Sequence, residues 1–451
     1  MSENQENPEL SPDDIRGLVR KRGRHSLRLP NLTLGPRRRS EYDDTAPLHA
    51  QYKRPRRALR VLGISLFTIL VLVVSTAGFL YYDLSNRVAN AEIAVEEFID
   101  EGPREPVDDY SGRALNVLLL GTDTRVGEGN NQYGFDEGDE SMRSDIAIVA
   151  HISADRSRVQ LISIPRDTWT TIPSCRTKEG ISTPPQEGQF NWAMSVGSEN
   201  VADNLDAGIA CVWRTAEELT GLTINEFVLF DFSGFEQMIN ALGGVNMCFD
   251  EDLYDEQAEL DIKAGCHTLN GHDALAYARA RKAVGDGSDI SRIGRQQELM
   301  GRIFHTAMTK NMLTDFPKLY SFVSETLGTI NTSSNLARLN TSAGLAYSLA
   351  GLPSDGLQFV TMPFAEAPWD PNRVVPTWQA DEVWEAIKED KPLPSGIEIT
   401  DSRGNKIVLE DEPAETDENG NPVPQETDEN GNPVTGRGPA GTGQNGRGIN
   451  G

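Results

Sequence analysis

Between Arg60 and Asp83 the chain carries no charged side chain. Val61–Tyr82 reads VLGISLFTILVLVVSTAGFLYY, a run of 22 residues. A helix rising ~1.5 Å per residue makes this run roughly 33 Å long, enough to cross a hydrocarbon layer of about 30 Å. A secretory signal would begin near residue 1 and close on a small-residue cleavage site; here 60 residues precede the run and two tyrosines end it. Lys53, Arg54, Arg56, Arg57 and Arg60 lie on its near side, and a basic flank stays cytoplasmic. The expectation is a single-pass protein of the cell membrane. Its N-terminus is cytoplasmic, Tyr81 and Tyr82 sit at the outer interface, and everything after residue 83 is outside the cell.

Charge divides at the same place. The formal net charge is −26, yet residues 1–60 hold 14 Lys/Arg against 8 Asp/Glu, and the rest holds 28 against 60. So acidic a main body makes nucleic acid a poor partner. All four cysteines (Cys175, Cys211, Cys248, Cys266) follow the apolar run, where an oxidising compartment permits disulfides. Four cysteines allow three connectivities; the sequence-local pairing, 175–211 with 248–266, is expected. No CxxC or HxxxH spacing supports a metal site instead.

Residues 1–57 are polar, Arg- and Pro-rich and aperiodic, which reads as a disordered basic tail, followed by a transmembrane helix over 58–82. Residues 83–112 read as a stalk: a short amphipathic helix to Ile99, then a Pro-, Gly- and acid-rich stretch. Leu115–Leu120 (LNVLLL) opens the folded part as a strand buried on both faces. Further strands are predicted at 145–152, 159–164, 226–231, 245–249 and 357–362. Helices are predicted near 201–220, 232–242, 274–278, 290–308, 317–327 and 377–388. This alternation implies an α/β fold, an α-β-α sandwich on a central mixed sheet, as one domain over 113–394. From Ser395 order is expected to fade. ETDENGNPV occurs at 415–423 and again at 426–434 in an acidic, Gly-rich tail too poor in apolar residues to fold alone.

Arginines and aspartates gather at the predicted strand ends. LLLGTDTR places Asp123 and Arg125 after the first strand; Arg143-Ser144-Asp145 precedes the second; Ile164-Pro165-Arg166-Asp167 ends the third. The C-terminal edges of strands are where open α/β sheets bind ligands. Further on, Arg279 and Arg281 stand two apart, which in extended chain is one face. On a helix starting near Asp289, residues 289, 292 and 296 share a face, with Arg295 beside Arg292. Forked guanidinium groups converging in an acidic protein suit phosphate oxygens, and carboxylates suit Mg²⁺ or Mn²⁺. Phosphoryl transfer uses both, because its catalysis is mostly positioning and charge neutralisation. There is no GxxxxGK[ST] and no GxSxG, which sets aside a P-loop site and a nucleophile elbow.

The ordered set LLLGTDTR, RSD, ISIPRDTW, FNWAMSVG, FDFSGFEQMINALGGVNM, LNGHDALAYARAR and DISRIGRQQ closely resembles the LytR–CpsA–Psr family of membrane-anchored wall-polymer ligases. The match covers roughly residues 113–310. The resemblance implies a phosphotransferase that moves a glycopolymer, such as teichoic acid or an arabinogalactan-type polymer, from a polyprenyl pyrophosphate carrier onto peptidoglycan. It implies Mg²⁺ held by Asp123 and Asp145. Arg125, Arg143, Arg166, Arg279, Arg281, Arg295 and Gln296 would take the pyrophosphate, and Asp289, Arg292 and Asp167 would act in catalysis. It also implies a lipid tunnel, expected here between the 201–220, 232–242 and 299–327 helices.

Two departures stand out. The family's usual acid-led run appears as GSDISR, so Asp289 is assigned from Arg292. An acidic, Gly-rich insert over Thr124–Ser141 separates the two expected metal ligands. A pyrophosphate phosphatase, a protein-glycosylating relative and a transcription-attenuating membrane protein stand as alternatives. The last is disfavoured because the basic tail has no helix-turn-helix pattern.

Overall fold

The computed structural model describes residues 56–99, 112–122, 142–280, 289–309, 330–349, 351–353 and 356–410, with 320, 322 and 326. The basic tail, residues 100–111, the insert, most of the 317–327 helix and the repeat tail lie outside the described residues. Two units are distinguished, Met1–Val71 and Leu72–Gly451. Helix α1 (Arg56–Asn90) begins in the first and continues into the second. From Leu59 it is long and apolar enough to cross a membrane, and Leu62, Phe67, Leu72 and Phe79 on it are exposed.

The expected stalk needs correcting. α1 runs on to Asn90 without a second helix beginning at Asp83, and the chain after it joins the fold. Ile93 donates its N–H to the Thr332 carbonyl (2.9 Å) and Thr332 to that of Ala91 (2.7 Å). Val95, Phe98 and Ile99 are buried in the main core. Apolar side chains at these positions find a sheet edge, and burying them outweighs an extended, solvated conformation.

The central sheet is mixed and eight-stranded among the described residues. Its members in chain order are β1 (Leu115–Thr122), β2 (Ser144–Ile152), β3 (Val159–Ser163), β6 (Glu226–Phe230), β11 (Ile330–Thr332), β12 (Leu357–Thr361), β15 (Glu398–Asp401) and β16 (Lys406–Val408), between which fall the outlying β4 (Trp169–Ile172), β5 (Gln186–Gln189), β7 (Val245–Phe249), β8 (Leu253–Asp255), β9 (Leu260–Ile262), β10 (Gly265–Leu269), β13 (Phe364–Ala367) and β14 (Asp370–Pro376). The sheet order is β11-β6-β1-β2-β3-β12-β15-β16. β1 pairs parallel with β6 and antiparallel with β2; β3 pairs antiparallel with β2 and parallel with β12.

The sandwich follows from alternation along these strands. Leu118, Leu120, Val149 and Ile162 face a core shared with α2 (Trp192–Ser198), α3 (Leu205–Thr220) and, near the C-terminus, a helix over Trp378–Lys388. Val117, Ile148, Ala150 and Leu161 face the other way. There they meet Met300 and Phe304 of the long helix Asp289–Thr309 and Leu345 and Leu349 of Leu339–Leu349. A third cluster packs α4 (Phe232–Ala241), α5 (Gly271–Arg279) and the long helix, α6, with β7 to β10. The two later helices are α7 (Leu339–Leu349) and α8 (Trp378–Lys388). Of the helices expected to wall a tunnel, α3 packs its apolar face on the first core and α6 on the other two, while most of the 310–327 part lies outside the described residues.

Two further expectations shift. β7 leaves the central sheet and forms a ribbon with β10, with Cys248 directly opposite Cys266. The folded domain does not end at 394, since β15 pairs with β12 and β16 with β15. The turn between them is tied by Asp401, which accepts the N–H groups of Arg403 (2.8 Å) and Asn405 (2.9 Å). Both expected disulfides, Cys175–Cys211 and Cys248–Cys266, are formed.

Candidate active site

Strand register builds one half of the site. β2 and β3 run antiparallel with Ile148 opposite Ser163, and Ile164 still donates to the Ala147 carbonyl (2.9 Å). Carrying that register past the strand end sets Arg166 opposite Asp145. There the Arg166 Nη1 donates to Asp145 Oδ1 at 2.8 Å, with both side chains mostly covered. Arg166 Nε lies 3.6 Å from Asp167 Oδ2, and Gln189 donates to Asp167 Oδ1 at 2.6 Å. On the other side of β2, Thr122 pairs with Ser144, and its hydroxyl donates to the carbonyl of the half-buried Arg143 (3.1 Å). The buried hydroxyl of Ser144 and side-chain oxygen of Asn191 have no hydrogen-bond partner among the described residues. Asn191 donates its own N–H to the Arg166 carbonyl (3.1 Å). Buried polar atoms of this kind are costly unless a ligand or water completes them.

The α5–α6 pair builds the other half. Asn270 caps α5 by accepting the Asp273 N–H (2.9 Å). Gly271 is needed because a Cβ there would strike the Glu236 carbonyl of α4. α5 ends at Arg279, whose guanidinium lies over the Phe232 ring, 4.9 Å from its centroid, a cation–π contact that fixes a flexible side chain. Ala280 then turns extended (φ −54°, ψ 135°). From α6, Arg295 donates to the Ala280 carbonyl and Gln296 to that of Ala278 (3.3 Å). Arg292 is buried on the same helix. Tyr277 donates to Glu298 (3.1 Å); burial, reinforced by the Glu298 charge, raises its pKa and keeps the phenol protonated.

Gln297 joins the halves. This buried amide donates to the hydroxyls of Ser163 (3.3 Å) and Thr361 (3.1 Å) and accepts from Thr400 (3.4 Å). α6 is therefore pinned over the ends of β3 and β12, three residues before Arg166. The described candidates thus form a sheet-edge group (Arg143, Asp145, Arg166, Asp167) and a helical group (Arg279, Arg292, Arg295, Gln296). Asp289 opens α6; its side chain, with Asp123, Arg125 and Arg281, lies outside the described residues. Arg295 and Gln296, expected on the phosphate, each donate one bond to the carbonyls on either side of Arg279. Sequence reasoning missed Gln189, Asn191 and Gln297. Amides serve so many roles that only the RQQ run hinted at the last. Among the described residues no three His, Cys, Asp or Glu side chains gather as a metal site.

The site thus lies on a mixed α/β sandwich, with arginines and aspartates gathered at the edge of its sheet. Residues 81–389 match the LytR_cpsA_psr family, and the chain belongs to that family. It is 31% identical over 235 residues to a probable cell wall biosynthesis protein, LcpB, of Corynebacterium glutamicum, covering 51% of this chain and 50% of that protein. It is 27% identical over 290 residues to the polyisoprenyl-teichoic acid–peptidoglycan teichoic acid transferase TagT of Bacillus subtilis, covering 62% and 79%. The chain thus spans about half the length of the corynebacterial relative. Among solved structures, TagT bound to LI-WTA is 21% identical at a TM-score of 0.45, covering 65% of this chain and 96% of that one.

Proposed function

We propose that this protein is a membrane-anchored phosphotransferase that moves a glycopolymer from a polyprenyl pyrophosphate carrier onto peptidoglycan. Relatives named as transferases of polyisoprenyl-linked teichoic acid to peptidoglycan support the substrate class. The observation that carries the reading is the Arg166–Asp145 pair at the sheet edge, with α6 pinned beside it through Gln297. One guanidinium is thereby paired with a carboxylate where hard-oxygen and phosphate chemistry would meet.

In the reaction, a hydroxyl oxygen of the acceptor attacks the glycan-bearing phosphorus. A new P–O bond forms as the bond to the bridging oxygen breaks; that oxygen keeps the electron pair, and polyprenyl phosphate leaves. The product is a phosphodiester. The hydroxyl proton passes to a carboxylate, which we assign to Asp289 with Arg292 as its partner; Asp167, held by Gln189, is the second candidate. Arg125, Arg143, Arg166, Arg279 and Arg281 neutralise the diphosphate. Arg295 and Gln296 join them at the diphosphate, and their bonds to the Ala280 and Ala278 carbonyls hold the Arg279 segment in place.

In its chemistry the sheet edge fits a divalent ion, because Asp145 offers a carboxylate there, and such hard oxygens suit Mg²⁺ or Mn²⁺. Asp123 and Asp145 would hold it, and when bound it would neutralise phosphate charge as transfer proceeds. The orientation we propose has the basic N-terminal flank in the cytoplasm and the catalytic domain outside. The two disulfides beyond the span agree with an oxidising side. The test is transfer by Arg279→Ala/Arg281→Ala in a membrane-reconstituted assay: transfer is lost while the protein stays folded and unfolds cooperatively. Surviving transfer would overturn the pocket assignment.

A further inference from the structure

An exposed indole and a half-buried one meet beside the sheet-edge group. Trp369 is 61% exposed and forms, with Pro368, the two-residue tip of the β13–β14 hairpin, where Ala367 pairs with Asp370. Trp169 begins β4 just after Arg166-Asp167-Thr168 and is half-buried. Their rings meet edge to face, centroids 6.3 Å apart at 74°, and Trp192 backs Trp169 in the same manner at 6.1 Å and 69°. The support is built in: at Gly188 on β5 a Cβ would fall 2.7 Å from the Trp192 ring, so only glycine lets that ring lie down on the hairpin. The β14 backbone is fastened to the site itself, because Val374 donates to the Asp167 carbonyl (3.3 Å) and bridges to Thr168.

An indole left 61% exposed at a fixed hairpin tip, with the open part of a second ring against it, makes an aromatic face that calls for an occupant. Charged residues adjoin them in chain and register: Glu187, opposite Thr171 two residues on from Trp169, accepts from that threonine (2.7 Å), while Asp370 directly after Trp369 accepts from Asn372 (2.9 Å) and pairs with Arg373. An apolar protein partner would desolvate those charged groups without offering them further hydrogen bonds. A sugar ring would not, since its C–H face is positive and meets the negative indole face while its hydroxyl and acetamido groups can bond to them. A protruding hairpin also suits a chain too large to enter a cleft. We infer that Trp169 and Trp369 form a platform that stacks the acceptor glycan strand of peptidoglycan and leads it to Arg166 and Asp167. This rests on the proposed transferase reading and adds the acceptor's binding surface to it.

The test uses the full-length protein in detergent and soluble, uncross-linked peptidoglycan glycan strands, with binding followed by calorimetry; inorganic pyrophosphate is the second probe. Trp369→Ala is expected to weaken glycan binding at least fivefold and Trp369→Tyr to restore most of it. Pyrophosphate binding stays within twofold in both. Because the residue lies at an exposed tip, folding is not at risk. Unchanged glycan binding in Trp369→Ala overturns the platform, as does equal weakening of both probes. So does loss of self-association or of vesicle binding with glycan binding intact. If the wild type binds glycan but not pyrophosphate, the transferase reading fails and the platform stands.

Discussion

Arg166 and Asp145 are held opposite each other by the antiparallel register of β2 and β3, and they close on one another at 2.8 Å just beyond the last ladder pair. The pair is partly open to solvent, with side-chain exposures of 20% and 26%, and such pairs contribute only about 0–1 kcal/mol to folding. Arg166→Ala should therefore leave thermal unfolding within a few degrees of wild type and cut transfer at least 100-fold. Arg166→Lys should recover little of it, because an ammonium cannot grip phosphate with a planar fork. A parallel loss of stability and activity would make the pair structural.

Phe232 acts on the donor through Arg279. Replacing it by Leu keeps the volume roughly constant and removes the ring beneath the guanidinium, a contact that contributes about 0.5–2 kcal/mol. The expected outcome is a several-fold rise in KM for the lipid-linked donor with kcat nearly unchanged. A change in kcat alone would contradict this.

Gln297 is the position where a single change should be felt in both halves. Gln297→Leu strands the hydroxyls of Ser163, Thr361 and Thr400 in the interior, costing about 1–3 kcal/mol. Denaturant unfolding should register that loss, and the freed N-terminal part of α6 should lower transfer further than the stability change explains.

How far the fold could be read from the chain differed from element to element. β1, β2, β3, β6 and β12 announce themselves as apolar runs because both of their faces are covered. β15 and β16 do not: EITD and KIV are short and charged, and they become strands only by pairing with β12 and each other. The Val245–Phe249 run has strand character, but where it pairs is settled by Cys266 across from Cys248, a long-range relation that periodicity does not carry. In the site, the arginines and aspartates were legible as clustered charge. Gln189, Asn191 and Gln297 were not, since an amide's role depends on which neighbours the fold brings within reach.

His151 gives the fold a pH dependence. It is buried between Asn116 (2.8 Å) and Asp390 (3.1 Å). Desolvation lowers its pKa below the ordinary 6.5, although the Asp390 carboxylate pulls the other way. The unfolded chain therefore takes up the proton first. The stability owed to the neutral ring is intact above about pH 6.5 and declines as pH falls from there through the lower, folded value. The slope is at most about 1.4 kcal/mol per pH unit for one proton. Chemical unfolding at several pH values between 5 and 7.5 should show this slope in the wild type and a reduced one in His151→Gln.

The transferase account turns on where one phosphorus atom goes. A donor carrying ³²P only in the glycan-proximal phosphate, supplied with Mg²⁺ and peptidoglycan to the full-length protein in liposomes, follows that atom directly. The account predicts label in the peptidoglycan fraction, unlabelled polyprenyl phosphate, and neither in Arg166→Ala. Label released as free glycan phosphate, with peptidoglycan unlabelled whether or not the acceptor is present, would contradict it and make the protein a hydrolase.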